Sequence, residues 1–583
     1  TAYRRQRQMC IRDRFMMIKT IKLGEIKMKK KIFIVLVAVV CVLAILFVCQ
    51  LWLQHRMQND AEKKPKATKE PGVAQADFQV EQIQHTKEDI YTEAYQKEVD
   101  EQLSAWKGKN TYGTDNPLMV WNPYGTNTGS FYYYAQTDKA CYAVCKITPD
   151  QGSVVEHRLV NDGSGKVTKE HEYLLTGLAT GRTNEIQMSF YDEKDKLLVS
   201  KSYTVKLNFD KEVPKILKVE KGESKQALTD GLFAVMGHDK SKAVNIYYYD
   251  NDGVSRGKMP LNDYRTDRIL TIDGKLVFSY SLTDLAVVNR LGRVERTINL
   301  GKYELHHDFM YDKDKNTLLC LVNDTDKDTI EDVLISVDYA TGKVRELVDF
   351  EVLMKESRQK HVQRKGGKNT YGGTELDWLH LNSLDLINEN DGIFSSREES
   401  VLIKVKDIYS NPKIDYLIHS GALYKGTGLE KYLLKQKGDF VGHAGQHTIT
   451  VEKDPSLPEG QYYLYMYNNN FGSAKTLPDF DWSLYPGVGT YRKGTASYFC
   501  KYLVDEKKKT YEMVQQFAVP YSSVVSGVNY IGNNITFSSG MDHTYGEYDK
   551  EGKMICTYTY KASRYAYRVI KYDFTGVYYE KEQ

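Results

Sequence analysis

The sequence predicts an all-β protein, a six-bladed β-propeller preceded by a small Ig-like β-sandwich, and three observations predict it. Tyrosine is in excess, with 45 Tyr against 19 Phe and 5 Trp, and Pro is scarce at 13. Aromatic side chains with a polar tip suit strands that keep one wet face. Residues 112–207 hold short alternating runs such as GSFYYYAQTD and LLVSKSYTVKL, separated by turn residues. Their spacing of about 8–12 residues marks a small sandwich. Beyond Pro214 one unit recurs six times: an alternating strand, a turn rich in Asp, Asn, Gly or Lys, and a second alternating strand.

The six copies are VNIYYYDNDGVSRGKMPL, LAVVNRLGRVERTINL, VLISVDYATGKVRELVDF, VLIKVKDIYSNPKIDYLI, YFCKYLVDEKKKTYEMVQQF and YGEYDKEGKMICTYTY. Each has the form of an outer hairpin of a propeller blade. A unit that cannot bury its own faces must stack on neighbours, and closing the ring protects the sheet edges. Six copies over about 370 residues exceed the roughly 40–45 residues of short propeller repeats. Inserted loops fill the difference, and inserted loops often carry sites. A two-sheet sandwich with six hairpins is the alternative architecture.

A chain of 583 residues exceeds one ordinary domain. Residues 1–15 resemble a translated sequencing-adapter remnant and are set aside, with Met28 the expected natural start. Residues 16–31 form the expected short cytoplasmic segment, ending in Lys29, Lys30 and Lys31. Residues 32–54 contain an uncharged apolar run long enough to cross a bilayer as a helix. The lysines on its short side favour N-terminus in, with the bulk of the chain at the extracytoplasmic face of the cell membrane. A cleaved signal peptide fits less well, because no A-x-A site follows. Residues 55–86 are polar and read as a stalk. The next stretch, 87–208, opens with an amphipathic helix (Ile90, Ala94, Val99, Leu103, Trp106) before the sandwich, and 209–583 is the propeller.

Composition excludes several classes. The net charge of +3 argues against nucleic acid as a partner. The eight cysteines are scattered without a CxxC pair, so a zinc framework is not expected and no disulfide can be assigned.

Histidines gather in suggestive company. His306, His307 and Asp308 follow the second hairpin. His380 and Asn382 sit in DWLHLNSLDL, Arg397 closes SSR, and His447 lies in GHAGQHTITV. All fall at transitions between blades, so they could converge on one mouth of the ring. A lone histidine is more often a structural or surface residue. Four groups at matching positions shift that balance.

The segments NPYGTNTGSFYYYAQTDK, HHDF, DWLHLNSLDL, SSREESVLIKV and GQHT resemble the bacterial arylsulfate sulfotransferase family, from about Asn122 to the C-terminus. That resemblance implies a sulfotransferase that moves a sulfuryl group from a phenolic sulfate ester to a phenol acceptor. It implies ping-pong chemistry through a sulfo-histidine, without a nucleotide donor or other cofactor. By resemblance His447 is the nucleophile, and His380, Asn382 and Arg397 hold the sulfuryl oxygens or move a proton. The HHD histidine corresponds to His306 in preference to His307, with the register open by one. Relatives can be homodimers. One departure stands out: Gram-negative members carry a cysteine pair just before the QHT motif, and LLKQKGDFVGHAGQH has none. His443, four residues before His447, reads as a surface residue. Two rivals remain: a metal-dependent propeller hydrolase using these histidines, which Arg397 disfavours, and a non-catalytic binding propeller.

Overall fold

Alternation of apolar and polar residues sets each hairpin, and pairing the hairpins edge to edge sets the ring. A computed structural model describes residues 72–161, 167–238, 244–363, 366–369, 372–419, 421–485, 488–489 and 496–581. Six sheets form the propeller, antiparallel except where Lys435–Gln436 pairs parallel to Thr510–Val519. Blade one contains Arg568–Tyr572, Leu232–Met236, Asn245–Tyr249 and Ser255–Pro260, from the axis outward. Blades two, three and four begin at the axis with Leu270–Ile272, Tyr303–Asp312 and Leu381–Leu386. Blades five and six begin with His447–Glu452 and Gly527–Ile531. From blade two round through blade six to blade one, each first strand touches the next. All six predicted hairpins are the third and fourth strands of a blade.

Ring closure uses both ends of the domain. The C-terminal strand Arg568–Tyr572 is innermost in blade one, whereas Ile216–Lys221 pairs with Met554–Tyr560 at the outer edge of blade six. The hairpin repeats did not reveal either strand, because each pairs far from its sequence neighbours.

Apolar clusters sit between successive blades. Leu285, Val287, Phe309, Leu318 and Ile335 join blades two and three. Leu402, Ile418, Leu464, Met466 and Tyr502 join four and five. Burying each such side chain is worth about 1.5–3 kcal/mol. Tyrosine departs from expectation here: Tyr247, Tyr248, Tyr249, Tyr416, Tyr467 and Tyr502 are fully buried, with no wet face. Their hydroxyls find partners inside the protein, as Tyr249 does in donating to the Pro214 carbonyl at 2.5 Å and Tyr467 in bonding Ser539 Oγ at 2.8 Å.

Before the propeller, the twenty-residue strand Ser130–Pro149 is shared by two groups of strands and joins them into one eight-stranded sheet. Its first half pairs with Leu118–Trp121 and Thr168–Thr176, its second with Val155–Arg158 and Thr183–Tyr191. Phe131, Tyr133, Ile186, Phe190 and Val205 share one core, so the two halves pack on each other. Val73–Ala76 and Val80–Gln82 lie inside the predicted stalk yet form edge strands of this sheet; they are too short and polar to show a period. The helix is Glu93–Lys109, capped by Thr92, and it buries Tyr95, Gln96, Val99 and Leu103 while Ala94 is exposed. It docks on blade two, where Gln96 Oε1 accepts from the Val294 amide at 2.9 Å and Asp100 pairs with Arg293 at 2.8 Å. The apolar run in 32–54 lies outside the described residues. Among the described residues no helix is long and apolar enough to cross a membrane.

Candidate active site

One backbone device recurs where the inner strands begin. His307, His380, Thr448 and Ser526 all have positive φ (60°, 53°, 55° and 90°), in blades three to six. Pairing also slips at three of these places, between Leu305 and Phe309, Leu381 and Ser383, and His447 and Thr450. A bulge lets successive side chains depart from strict alternation and re-aims them, and bulges concentrate beside active sites. Thr448 is β-branched, for which this conformation is strained. The bulges turn His306, His307, His380, Asn382 and His447 into the interior, where all are buried. The Arg397 side chain is 12% exposed.

Side chains of blade four stitch the His447 strand in place. Asn382 Nδ2 donates to the Gln446 carbonyl at 2.7 Å. Ser383 Oγ accepts from the Ile449 amide at 2.9 Å, and Asp385 Oδ2 from the Val451 amide at 2.7 Å. The Gln446 amide reaches back to Ser395 Oγ and the Ser396 carbonyl, both at 3.0 Å. The QHT segment is therefore held by side chain-to-backbone bonds, and no cysteine takes part.

His447 Nδ1 lies 2.7 Å from Asn469 Oδ1 and 3.1 Å from the Gly445 carbonyl. Asn469 uses its amide nitrogen to donate to the carbonyls of Ser522 (2.7 Å) and Val525 (3.0 Å). Its oxygen must then face His447, so Nδ1 carries the ring hydrogen and Nε2 keeps its lone pair. Burial above all, then Arg397, His380 and Arg568, hold the His447 imidazole well below its ordinary proton affinity, against the Asn469 bond. His447 is neutral at physiological pH.

His380 is set the other way. Burial and then Arg397 oppose its charged form, but Asp377 and Glu331 outweigh them and its proton affinity is raised. Its Nδ1 donates to both oxygens of Asp377 at 2.9 Å and also pairs with Glu331. Arg397 pairs with Glu398, and its Nη2 stands 4.0 Å from Asp377. The ring packed against His380 belongs to His307, at 4.7 Å between centroids; His306 lies behind it, their Nδ1 atoms 3.2 Å apart. Burial keeps both of these histidines neutral, His306 at about 3 and His307 well below its ordinary value.

Asn469 and Glu331 escape sequence reasoning. Asn469 sits in an Asn-Asn-Asn run ending a strand, a turn signal that says nothing of its partner, and Glu331 lies in a loop 49 residues before His380 in a stretch with no motif. His443 is a correction: it is buried, with Nδ1 3.1 Å from the Tyr502 hydroxyl. Its ring packs beside Tyr502, 59 residues further along the chain, which spacing cannot show. Two overlapping groups have the atoms to hold a metal ion, His306–His307–Glu331 and Glu331–Asp377–His380.

An arylsulfotransferase (ASST) family match covers residues 218–576, most of the chain and every candidate site residue. The chain belongs to the arylsulfotransferase family. A search of the curated proteins found no match. Among solved structures, a candidate 6-phosphogluconolactonase from Bacteroides fragilis is 11% identical, covering 75% of this chain and 99% of its own, with a TM-score of 0.33. BamB from Moraxella catarrhalis is 10% identical, covering 63% and 98%, at 0.29. Similarity at that level carries no argument about fold or activity.

Proposed function

We propose that this arylsulfotransferase works by ping-pong transfer through a sulfated His447. The observation that carries the proposal is the Asn469–His447 bond, which leaves a neutral imidazole with Nε2 unprotonated in a water-poor, cation-flanked site. Nε2 attacks the sulfur of an aryl sulfate; the N–S bond forms as the S–O bond to the aryl oxygen breaks. His380, charged and clamped by Asp377, gives its Nε2 proton to the departing phenolate. On sulfation the positive charge rests on the His447 ring, where Nδ1–H still donates to Asn469. A phenol acceptor then returns its proton to His380 as its oxygen takes the sulfuryl group and the N–S bond breaks. Splitting one displacement into two similar ones is the gain of covalent catalysis. Arg397 and a ring N–H of His307, which we favour over His306, face the sulfuryl oxygens. Asn382 acts chiefly by fixing Gln446 and so the His447 strand.

The test is release of 4-nitrophenol from 4-nitrophenyl sulfate with phenol as acceptor, with mass spectrometry of the trapped intermediate. Sulfation at His447, lost in His447→Ala along with turnover, is expected. No turnover with any aryl sulfate would sink the proposal.

The two histidine–carboxylate groups favour a second reading, a metal-dependent hydrolase. Dialysis against a chelator separates them: transfer persists on the first reading and vanishes on the second. We also propose that residues 32–54 anchor the chain with the propeller at the extracytoplasmic face, supported by the apolar run and the lysines before it. Deleting residues 28–54 should release the protein from the membrane fraction.

A further inference from the structure

Arg568 opens the inner strand of blade one, and three blades round the ring stand His380 and Arg397 of blade four. Its side chain is fully buried. Nη1 donates to the Asp267 carbonyl at 3.2 Å and to Asp308 Oδ1 at 3.3 Å. Nε and Nη2, the two donors along one edge of the guanidinium, have no hydrogen-bond partner among the described residues. Asp308 cannot satisfy them, because its carboxylate is shared with Arg268 Nε at 3.0 Å and the amides of Phe309 and Leu384. Asp267 gives Oδ1 to Arg265 at 2.8 Å, and its Oδ2 makes no hydrogen bond to either Arg568 donor. Buried donors on a cation are destabilising unless something supplies acceptors.

The position fits a ligand at His447. A Cβ on Gly527 would stand 2.8 Å from Thr448 Cγ2 and 3.5 Å from Arg568 Cγ, so the arginine stem runs beside the residue that follows the nucleophile. Tyr567, its neighbour, packs on His307 with centroids 5.6 Å apart. Arg397 already pairs with Glu398 and approaches Asp377, so much of its charge is answered. The Arg568 edge is not. Two parallel N–H bonds match two oxygens of a tetrahedral oxyanion.

The geometry points to Arg568 as a further catalytic residue, whose Nε/Nη2 edge binds two oxygens of the sulfuryl group while it passes between the aryl oxygen and His447. The inference rests on the sulfuryl-transfer reading, but its anion-binding content can be judged separately. Crystals of the wild-type chain soaked in selenate, an anomalous scatterer shaped like sulfate, should show the anion within hydrogen-bond distance of Nε and Nη2. Arg568→Lys keeps the charge and loses the fork. Calorimetry with inorganic sulfate should show binding weakened about tenfold or more. In the same variant kcat/KM for 4-nitrophenyl sulfate should fall about 10²-fold, with circular dichroism unchanged. Selenate found only elsewhere, or a lysine variant within threefold of wild type in both sulfate affinity and turnover, would overturn the assignment. If wild type never sulfates His447, the proposed function fails, while the selenate site and the sulfate titration still decide whether Arg568 binds an oxyanion.

Discussion

Asn469 Oδ1 accepts the Nδ1 hydrogen of His447 at 2.7 Å, and the Asn469 amide nitrogen is itself fixed by two carbonyls of the neighbouring blade. The His447 tautomer is therefore set by Asn469, which the segment between blades five and six holds in place. Asn469→Ala should lower kcat by about 10²-fold or more, because a mis-set tautomer removes the attacking lone pair. It also takes a donor from the Val525 carbonyl, at a cost of about 1–3 kcal/mol if water does not replace the amide, while the Ser522 carbonyl keeps Ser497 Oγ at 3.3 Å. Stopped-flow nitrophenol release and thermal unfolding, run together, separate the two effects. A variant with lowered stability and wild-type kcat would remove Asn469 from the mechanism.

The opposite shifts of His447 and His380 predict the pH profile. The proposed transfer needs His447 neutral and His380 protonated. His447 is depressed, by burial first, so the acid limb of kcat/KM should lie well under the ordinary histidine value of about 6.5. His380 is raised because Asp377 and Glu331 outweigh burial and Arg397, so the alkaline limb should lie above that value. Asp377→Asn removes one clamping charge and should move the alkaline limb down by about one unit or more, leaving the acid limb nearly in place. An unmoved alkaline limb would take the proton-transfer role from His380.

Gly527 tests how tightly the His447 strand is placed. A methyl group there would meet Thr448 Cγ2 at 2.8 Å, too close for contact, and Thr448 is short and already strained. Its Oγ1 also accepts from the Val528 amide at 3.1 Å, so it cannot rotate away freely. Gly527→Ala should displace the His447 strand by a fraction of an ångström and cost about tenfold or more in kcat, since small misplacements are expensive in catalysis. Steady-state kinetics with circular dichroism as the folding control measures it.

Much of this architecture was legible because it is local. Each outer hairpin carries its period and its turn within about 18 residues, and all six emerged from alternation alone. His380, Asn382, Arg397 and His447 could be picked out as candidates, because chemistry-bearing residues at the ends of inner strands fall at blade transitions. What stayed hidden is non-local. Asn469 meets His447 across a strand reversal, Glu331 meets His380 across a blade, and Arg568 meets Asp308 across 260 residues. The proposed preference for His307 over His306 depends on a bulge between Leu305 and Phe309, which alternation cannot register. The same limit explains Ala94, where the helix begins six residues later than the period suggested and the buried stripe runs through Tyr95.

Closure of the ring should be the weak point for stability. Lys571, on the C-terminal strand of blade one, pairs with Glu547 of blade six at 2.6 Å, and both side chains are fully buried. Glu547 also accepts from Thr229 and Asn534, while Lys571 bonds Asn251 Oδ1 at 2.6 Å. Burial lowers the Lys571 proton affinity despite the carboxylate, so the ion pair is held against a real desolvation cost. Removing one partner strands the other: Lys571→Met should destabilise by about 3–5 kcal/mol. The double variant Lys571→Met/Glu547→Leu should recover much of that loss, because an apolar pair of similar volume avoids desolvation. Chemical denaturation of the three proteins gives the coupling energy directly. A single variant as stable as wild type would mean that the C-terminal strand is held by its backbone ladder to Leu232–Met236 alone.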